Sequence, residues 1–298
     1  MKTGLRRTSL YIPGNNPSML QNASVYGADC IILDLEDAIT VTEKDSARIL
    51  VRNALRSIRY GTTEVTVRVN ALSTHFGQED FMEIIPMKPD AVRLPKCEAP
   101  EDVVQADQLI TEIERKNGIE IGSVKIIPMI ESALGGINLL DIVRSSRRIT
   151  GVNYGAEDYT ADIGAVRTKE GRELDDIRAK IVVAARIAGV HALDSVFADV
   201  NDSDGLFDEA YAARRLGFDG KSVIHPRQIP VVHRAFTPSQ KEISFARRVV
   251  HAIEEAKQKK SGVIALNGKM IDAPVVTKAR KIIALAEAAG YRDEGVLS

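Results

Sequence analysis

Cysteine is scarce: the 298 residues hold two, Cys30 and Cys97, with neither a CxxC pair nor the spacing of metal ligands between them. This excludes a disulfide scaffold and a cysteine-based metal site, and leaves both thiols as small packing residues. An excess of charge is missing as well. Forty lysines and arginines face 41 aspartates and glutamates, a formal net charge of −1. No global field is there to hold nucleic acid or an anionic membrane, so an anionic ligand must be bound by local groups. No apolar run approaches the roughly 20 residues that cross a bilayer. The opening MKTGLRRTSL carries charge with no apolar stretch behind it, so the expected location is cytoplasmic. Internal sequence repeats and low-complexity segments are absent. What is present is 44% hydrophobic and 27% charged residues, enough apolar material for a sizeable core.

Short β-branched apolar runs alternate with longer stretches of helical periodicity. The runs are residues 9–13, 30–35, 64–70, 91–96, 125–130, 149–154, 192–198 and 221–225. Such alternation is the sequence form of repeated βα units around a parallel sheet. Eight units predict an α/β fold, a closed (β/α)8 TIM barrel occupying residues 1–236. The longest interval contains 159–172, rich in glycine, threonine and charge, and is expected to be an active-site loop. From 237 to 298 the pattern changes to an amphipathic helix over 239–260 and two short apolar runs around Asn267-Gly268, a hairpin signal. A last helix over 275–289 stops at Gly290. This extension is too small for a large core of its own, so it is expected to pack on the barrel or on a neighbouring subunit.

In such a barrel the chemistry sits at the C-terminal ends of the strands. The residues closing the runs are polar there: Asp34-Leu35-Glu36-Asp37, Arg68-Val69-Asn70, Lys96, Glu131-Ser132, Glu157-Asp158 and His225. Any one of them could simply mark where a strand meets solvent; together they point to a site. Glu131 and Asp158 are one βα unit apart, which would put their carboxylates on neighbouring strands about 4.8 Å apart. Two such acids call for a cation. Hard oxygen donors in an incomplete protein set suit Mg2+, whose remaining positions a hydroxy or keto acid and water could fill. The alternative is that both acids cap the helices that follow. Arg68, flanked by valines, must reach the rim or be paired inside. With Glu36 and Asp37 beside it, it is expected to form a fork on a substrate carboxylate or thioester oxygen, oriented by Glu36; a purely structural bridge is the alternative. The turn from Tyr11 through Pro13, Gly14 and Asn15 opens the first helix, where N–H groups could take a phosphate or carboxylate, or merely form a turn. Lys96 raises a Schiff-base aldolase reading. His225 alone of the five histidines ends a run and is expected to pack or touch ligand rather than act as a base.

Taken together, Pro13-Gly14-Asn15-Asn16, Asp34-Leu35-Glu36-Asp37-Ala38, Arg68-Val69-Asn70, Arg93-Leu94-Pro95-Lys96, Ile130-Glu131-Ser132, Gly155-Ala156-Glu157-Asp158-Tyr159 and Phe218-Asp219-Gly220-Lys221-Ser222 resemble the citrate lyase β-subunit family. That family lies within the HpcH/HpaI-like carbon–carbon lyases, which also hold malyl-CoA and citramalyl-CoA lyases. The resemblance covers nearly the whole chain and includes Leu266-Asn267-Gly268-Lys269-Met270. It implies Mg2+-dependent retro-Claisen cleavage of a (3S)-citryl thioester to acetyl thioester and oxaloacetate, usually in trimers, alongside α and γ (acyl carrier) subunits. It implies Glu131 and Asp158 as metal ligands and Arg68, Glu131, Gly155 and Ala156 as substrate contacts. Asp272 would be an acid/base group that a neighbouring subunit's tail brings over the barrel mouth as a lid. The family often reads Ile-Asn-Pro where this chain has Ile224-His225-Pro226. In the family that loop faces the thioester carrier, so the choice between a phosphopantetheine-type carrier-protein arm and CoA stays open. Open too are a stand-alone citramalyl-CoA or malyl-CoA lyase, the Lys96 aldolase, and a non-catalytic assembly subunit.

Overall fold

Eight parallel strands close into a barrel in simple sequence order, as the alternating pattern requires. The computed structural model describes residues 4–258, 265–266 and 269–291. The strands are β1 (Thr8–Pro13), β2 (Cys30–Asp34), β3 (Glu64–Arg68), β4 (Ala91–Leu94), β5 (Lys125–Ile130), β6 (Gly151–Tyr154), β7 (His191–Asp194) and β8 (Gly220–Val223). Pairing of Ser9 with Cys30 on one side and Ser222 on the other closes the ring through β1. Around it run α1 (Pro17–Asn22), α2 (Lys44–Ser57), α3 (His75–Ile84), α4 (Pro100–Lys116), α5 (Ala133–Ile137), α6 (Leu139–Arg144), α7 (Ala156–Asp162), α8 (Asp175–Ala188), α9 (Ser203–Leu216) and α10 (Gln228–Phe236). Their apolar stripes, such as Ala47, Val51 and Ala54 of α2, are buried.

Beside an apolar cluster of Ala91, Ile127 and Leu193, the barrel interior holds a polar network. Arg93, on β4, is fully buried and reaches across the lumen to Thr66 of β3 (3.3 Å), Ser9 of β1 (2.9 Å) and Asn153 of β6 (3.3 Å). A hydrogen-bonded plug fills the space below the rim.

The chain divides into two compact units, 1–233 and 234–298. In the second, α11 (Gln240–Gln258) and α12 (Ala273–Ala288) enclose a core of Ala246, Val249, Ile271, Val276 and Ala279. Strands β9 (Ala265–Leu266) and β10 (Lys269–Met270) pair antiparallel; Asn267 and Gly268 lie outside the described residues. No described helix is long and apolar enough to cross a membrane.

Two expectations need correction. Residues 159–162 are not loop but the end of α7, whose first turn carries Glu157 and Asp158, favourable charges at a helix N-terminus. The irregular part is 163–171, pinned where Thr168 donates its N–H (2.9 Å) and hydroxyl (2.7 Å) to Glu173. The last helix begins at Ala273 rather than 275, because Asp272 caps it by accepting the Val275 N–H at 3.1 Å.

Candidate active site

Asp34 and Arg68 end β2 and β3 in register, so their side chains meet at the rim. Arg68 Nε and Nη2 each donate to one oxygen of Asp34 at 2.7 Å, a two-pronged pair that fixes the guanidinium plane. Nη1 donates to Asp37 at 2.8 Å. Three of the five N–H groups of an arginine are thereby used, leaving one on each Nη. The Tyr11 ring lies under the guanidinium, 5.0 Å from its carbon, and burial pushes its phenol up to about 12. Sequence reasoning named Glu36 and Asp37 as partners and missed Asp34. The available signal was register: Asp34 and Arg68 close consecutive strands.

Glu36 stands behind Arg68. Its Oε2 lies 2.9 Å from Nη1 but off any N–H direction, so this ion pair carries no hydrogen bond, and Oε1 lies 3.3 Å from Lys96 Nζ. Burial pushes its carboxyl up to about 8, against the pull of Arg68, which already serves two other carboxylates. Glu36 in turn holds the Lys96 ammonium above its usual range, and the Lys96 side chain is more than half exposed. A Schiff-base lysine needs the opposite, a lowered pKa in a dry pocket.

Lys96 serves the site through its backbone instead. It adopts φ 53°, a left-handed conformation costly for a side-chain-bearing residue, and thereby aims its N–H at Glu131 Oε2, 2.8 Å away. Glu131 follows β5 and is 4% exposed; burial pushes its carboxyl up to about 7, and Asp158 adds to the rise. Asp158 comes not from a strand end, as spacing suggested, but from the first turn of α7, where it is exposed. Neither acid is a cap: Ser132 caps α5 through its hydroxyl, and Gly155 is the N-cap residue of α7. Gly155 is required by proximity, since a Cβ there would come within 2.7 Å of Glu131 Oε1. Among the described residues no group of three or more His, Cys, Asp or Glu side chains converges as a metal site.

A cavity of about 260 Å³ opens at this rim. It brings together Tyr11, Arg68, Glu131, Gly155, Ala156 and Asp158, with Asn153, Ser195 and Ser222 on another part of its wall. Pro13, Gly14 and Asn15 are not on that wall. The Gly14 N–H is taken by the Asp34 carbonyl (2.8 Å), Asn15 donates to Glu43 (2.8 Å), and Asn16 caps α1, so this turn packs β1 against β2 rather than cradling an anion. A Cβ at Gly14 would lie 2.6 Å from the Asp34 carbonyl oxygen, which is why glycine stands there. His225 accepts the Arg227 N–H at 3.1 Å. Asp272 belongs to the second unit.

The sequence profile of the HpcH/HpaI aldolase/citrate lyase family matches residues 7–226. Citrate lyase subunit beta of Leuconostoc mesenteroides subsp. cremoris is 46% identical over 284 residues, covering 95% of this chain and 94% of that protein. The mitochondrial citramalyl-CoA lyase of Rattus norvegicus is 33% identical over 291 residues, covering 94% of this chain and 86% of that one. The crystal structure of CitE from Mycobacterium tuberculosis in complex with magnesium, acetoacetate and coenzyme A superposes with a TM-score of 0.79 at 30% identity, over 96% of this chain and 99% of that one.

Proposed function

This chain belongs to the HpcH/HpaI aldolase/citrate lyase family, and from that premise we propose that it cleaves a citryl thioester, carried on an acyl carrier protein or CoA, into acetyl thioester and oxaloacetate. The observation that carries this reading is the rim cavity where a plane-locked guanidinium with spare N–H groups faces a buried carboxylate, Glu131, backed by Asp158. The 46% identity to a citrate lyase β subunit, against 33% to a citramalyl-CoA lyase, supports citryl over citramalyl as substrate.

The donor set fits Mg2+. Glu131 is desolvated, and its ionised form is supported by one backbone N–H, so a divalent cation shared with Asp158 is what would stabilise the pair as carboxylates. Two protein oxygens leave the remaining positions to water and substrate, as is usual for this ion. When bound, Mg2+ supplies the Lewis acidity that lowers the pKa of the substrate hydroxyl. The cleavage itself balances simply. The hydroxyl gives its proton to water, the oxygen's electron pair forms the new carbonyl, the carbon–carbon bond breaks, and its electrons pass to the thioester as an enolate that takes a proton on carbon from Asp272, which regains one from solvent.

Arg68 addresses the enolate oxygen. Its two remaining N–H groups are held in a fixed plane by Asp34 and stabilise charge as it develops there. Glu36, behind the guanidinium, orients it. Gly155 and Ala156 shape the wall beside Glu131 and leave room for substrate oxygens. Asp272, from the second unit of a neighbouring copy, delivers the proton to the acetyl carbon, an assignment that rests on the resemblance. The same resemblance supports a homotrimer, or a multiple of three, working with α and γ subunits in the cytoplasm.

Assay of the purified chain with citryl, citramalyl and malyl CoA esters, with and without EDTA, tests this. The expected result is fastest cleavage of citryl-CoA, abolished by EDTA and restored by Mg2+. Preference for the methyl-bearing ester would move the reading to a stand-alone citramalyl-CoA lyase. EDTA-indifferent cleavage with borohydride trapping would move it to Lys96, and no cleavage of any ester to an assembly subunit.

A further inference from the structure

The wall carrying Ser222, Ser195 and Asn153 has no part in the chemistry above, yet it holds a buried polar atom with nothing to bond. Ser222 is 1% exposed, and its Oγ has no hydrogen-bond partner. The residue before it, Lys221, sends its ammonium outward to Asp194 at 2.9 Å, so the alternation of strand side chains turns Ser222 into the barrel. Its register partner Ser9 also faces inward, accepting from Arg93 Nη2. Ser222 therefore stands one strand spacing, about 4.8 Å, from the residue that holds the Arg93 guanidinium. That guanidinium is fully buried, and among the described residues its hydrogen bonds go to hydroxyl, amide and thiol groups with no carboxylate paired to it. The carboxylate that feels its charge, Glu64, is already bonded through both oxygens to Arg6 at 2.7 Å.

The other two polar residues of this wall are already engaged to different degrees. Asn153 donates from Nδ2 to the carbonyls of Leu193 (2.9 Å) and Asp194 (3.2 Å) and accepts from Arg93, so it has no N–H left to offer an anion. Ser195 Oγ reaches the Val196 carbonyl, at 3.5 Å. Ser222 is free. Buried polar groups are nearly always satisfied, and an orphan hydroxyl on a cavity wall, near a buried guanidinium that bonds no carboxylate, is complementary to an anion.

We infer that Ser222, assisted by Ser195 and the buried Arg93 charge, determines specificity by receiving the second carboxylate of the substrate, the one carried on the CH2 arm at the carbinol carbon. This rests on the lyase reading, in which the citryl group differs from the citramalyl group by a carboxymethyl in place of a methyl. A methyl there would leave the Ser222 hydroxyl unpaired, and a site built around a hydrogen bond discriminates against the analogue that lacks it. The acid-lined side of the cavity, with Asp37, Glu131 and Asp158, would repel the same carboxylate.

The test is calorimetric titration of the Mg2+-loaded full chain with oxaloacetate and with pyruvate, which differ by this one carboxylate, for the wild type and Ser222→Ala. The wild type should prefer oxaloacetate, and Ser222→Ala should reduce the oxaloacetate-to-pyruvate affinity ratio about 10- to 100-fold, the range for a hydrogen bond to a charged group. Ser222→Thr, which keeps the hydroxyl, should recover most of the ratio. A ratio that Ser222→Ala leaves unchanged overturns the assignment, whatever the cleavage activity. If the ratio responds as expected while the wild type cleaves no thioester, the anion subsite stands and the lyase reading falls.

Discussion

Arg68→Ala should lower citryl thioester cleavage by about 10²–10³-fold, the usual cost of losing one preorganised donor to a developing oxyanion. The same change should destabilise the fold by about 3–5 kcal/mol, because it strands a buried charge. Both effects follow from one geometry. The guanidinium is the shared partner of Asp34, Glu36 and Asp37, of which Asp34 is 1% exposed. With alanine in place, Asp34 keeps only backbone N–H groups, from Glu36 (3.0 Å) and Ala38 (3.3 Å). Arg68→Lys separates the two roles: it restores a charge near Asp34 but not the planar fork, so stability should recover more than turnover. Steady-state kinetics and urea unfolding on the same preparations read the result. Turnover within a few-fold of wild type in Arg68→Ala would leave the arginine a purely structural bridge.

Asp272→Asn should reduce turnover by about 10²–10⁴-fold, the range for removal of a general acid. Fold stability should stay within about 0.5 kcal/mol of wild type, because asparagine caps a helix about as well as aspartate. That contrast is informative here. In the second unit Asp272 is exposed and accepts the Val275 N–H, which by itself explains an aspartate at that position. A cap alone predicts an active asparagine variant; a proton donor predicts a folded, dead one that still binds Mg2+ and oxaloacetate. Kinetics beside thermal unfolding and oxaloacetate titration distinguish them. An active Asp272→Asn enzyme would reduce the residue to its capping role.

The barrel was legible because its signal is repetitive and local. Eight short apolar runs separated by helical periodicity leave few topologies, and run ends placed the rim residues within a few positions. Three runs end where their strands end, at Pro13, Ile130 and Tyr154; the other five extend one to four residues past the strand at the rim, as with 192–198 against β7 ending at Asp194, because polar rim residues continue the apolar pattern without continuing the ladder. What sequence could not show was pairing across strands. Asp34 was passed over in favour of Glu36 and Asp37, since a choice among three neighbouring acids is made by register and side-chain direction. Asp158 was placed on a strand because the interval of one βα unit does not say where strand ends and helix begins. Gly14 looked like part of an anion loop, yet its N–H belongs to Asp34's carbonyl. That the Ser222 hydroxyl lacks a partner and that the left-handed Lys96 supports Glu131 cannot be read from the sequence; both exist only as close approaches in the closed barrel.

The account depends most on a divalent cation shared by Glu131 and Asp158. A crystal of the full chain grown with Mn2+ in place of Mg2+ and with oxaloacetate, measured for anomalous scattering, tests this directly. One peak between the two carboxylates, with oxaloacetate oxygens completing its shell, is the predicted result. Oxaloacetate bound in the cavity with no anomalous peak there, or a peak held by other residues, would contradict it.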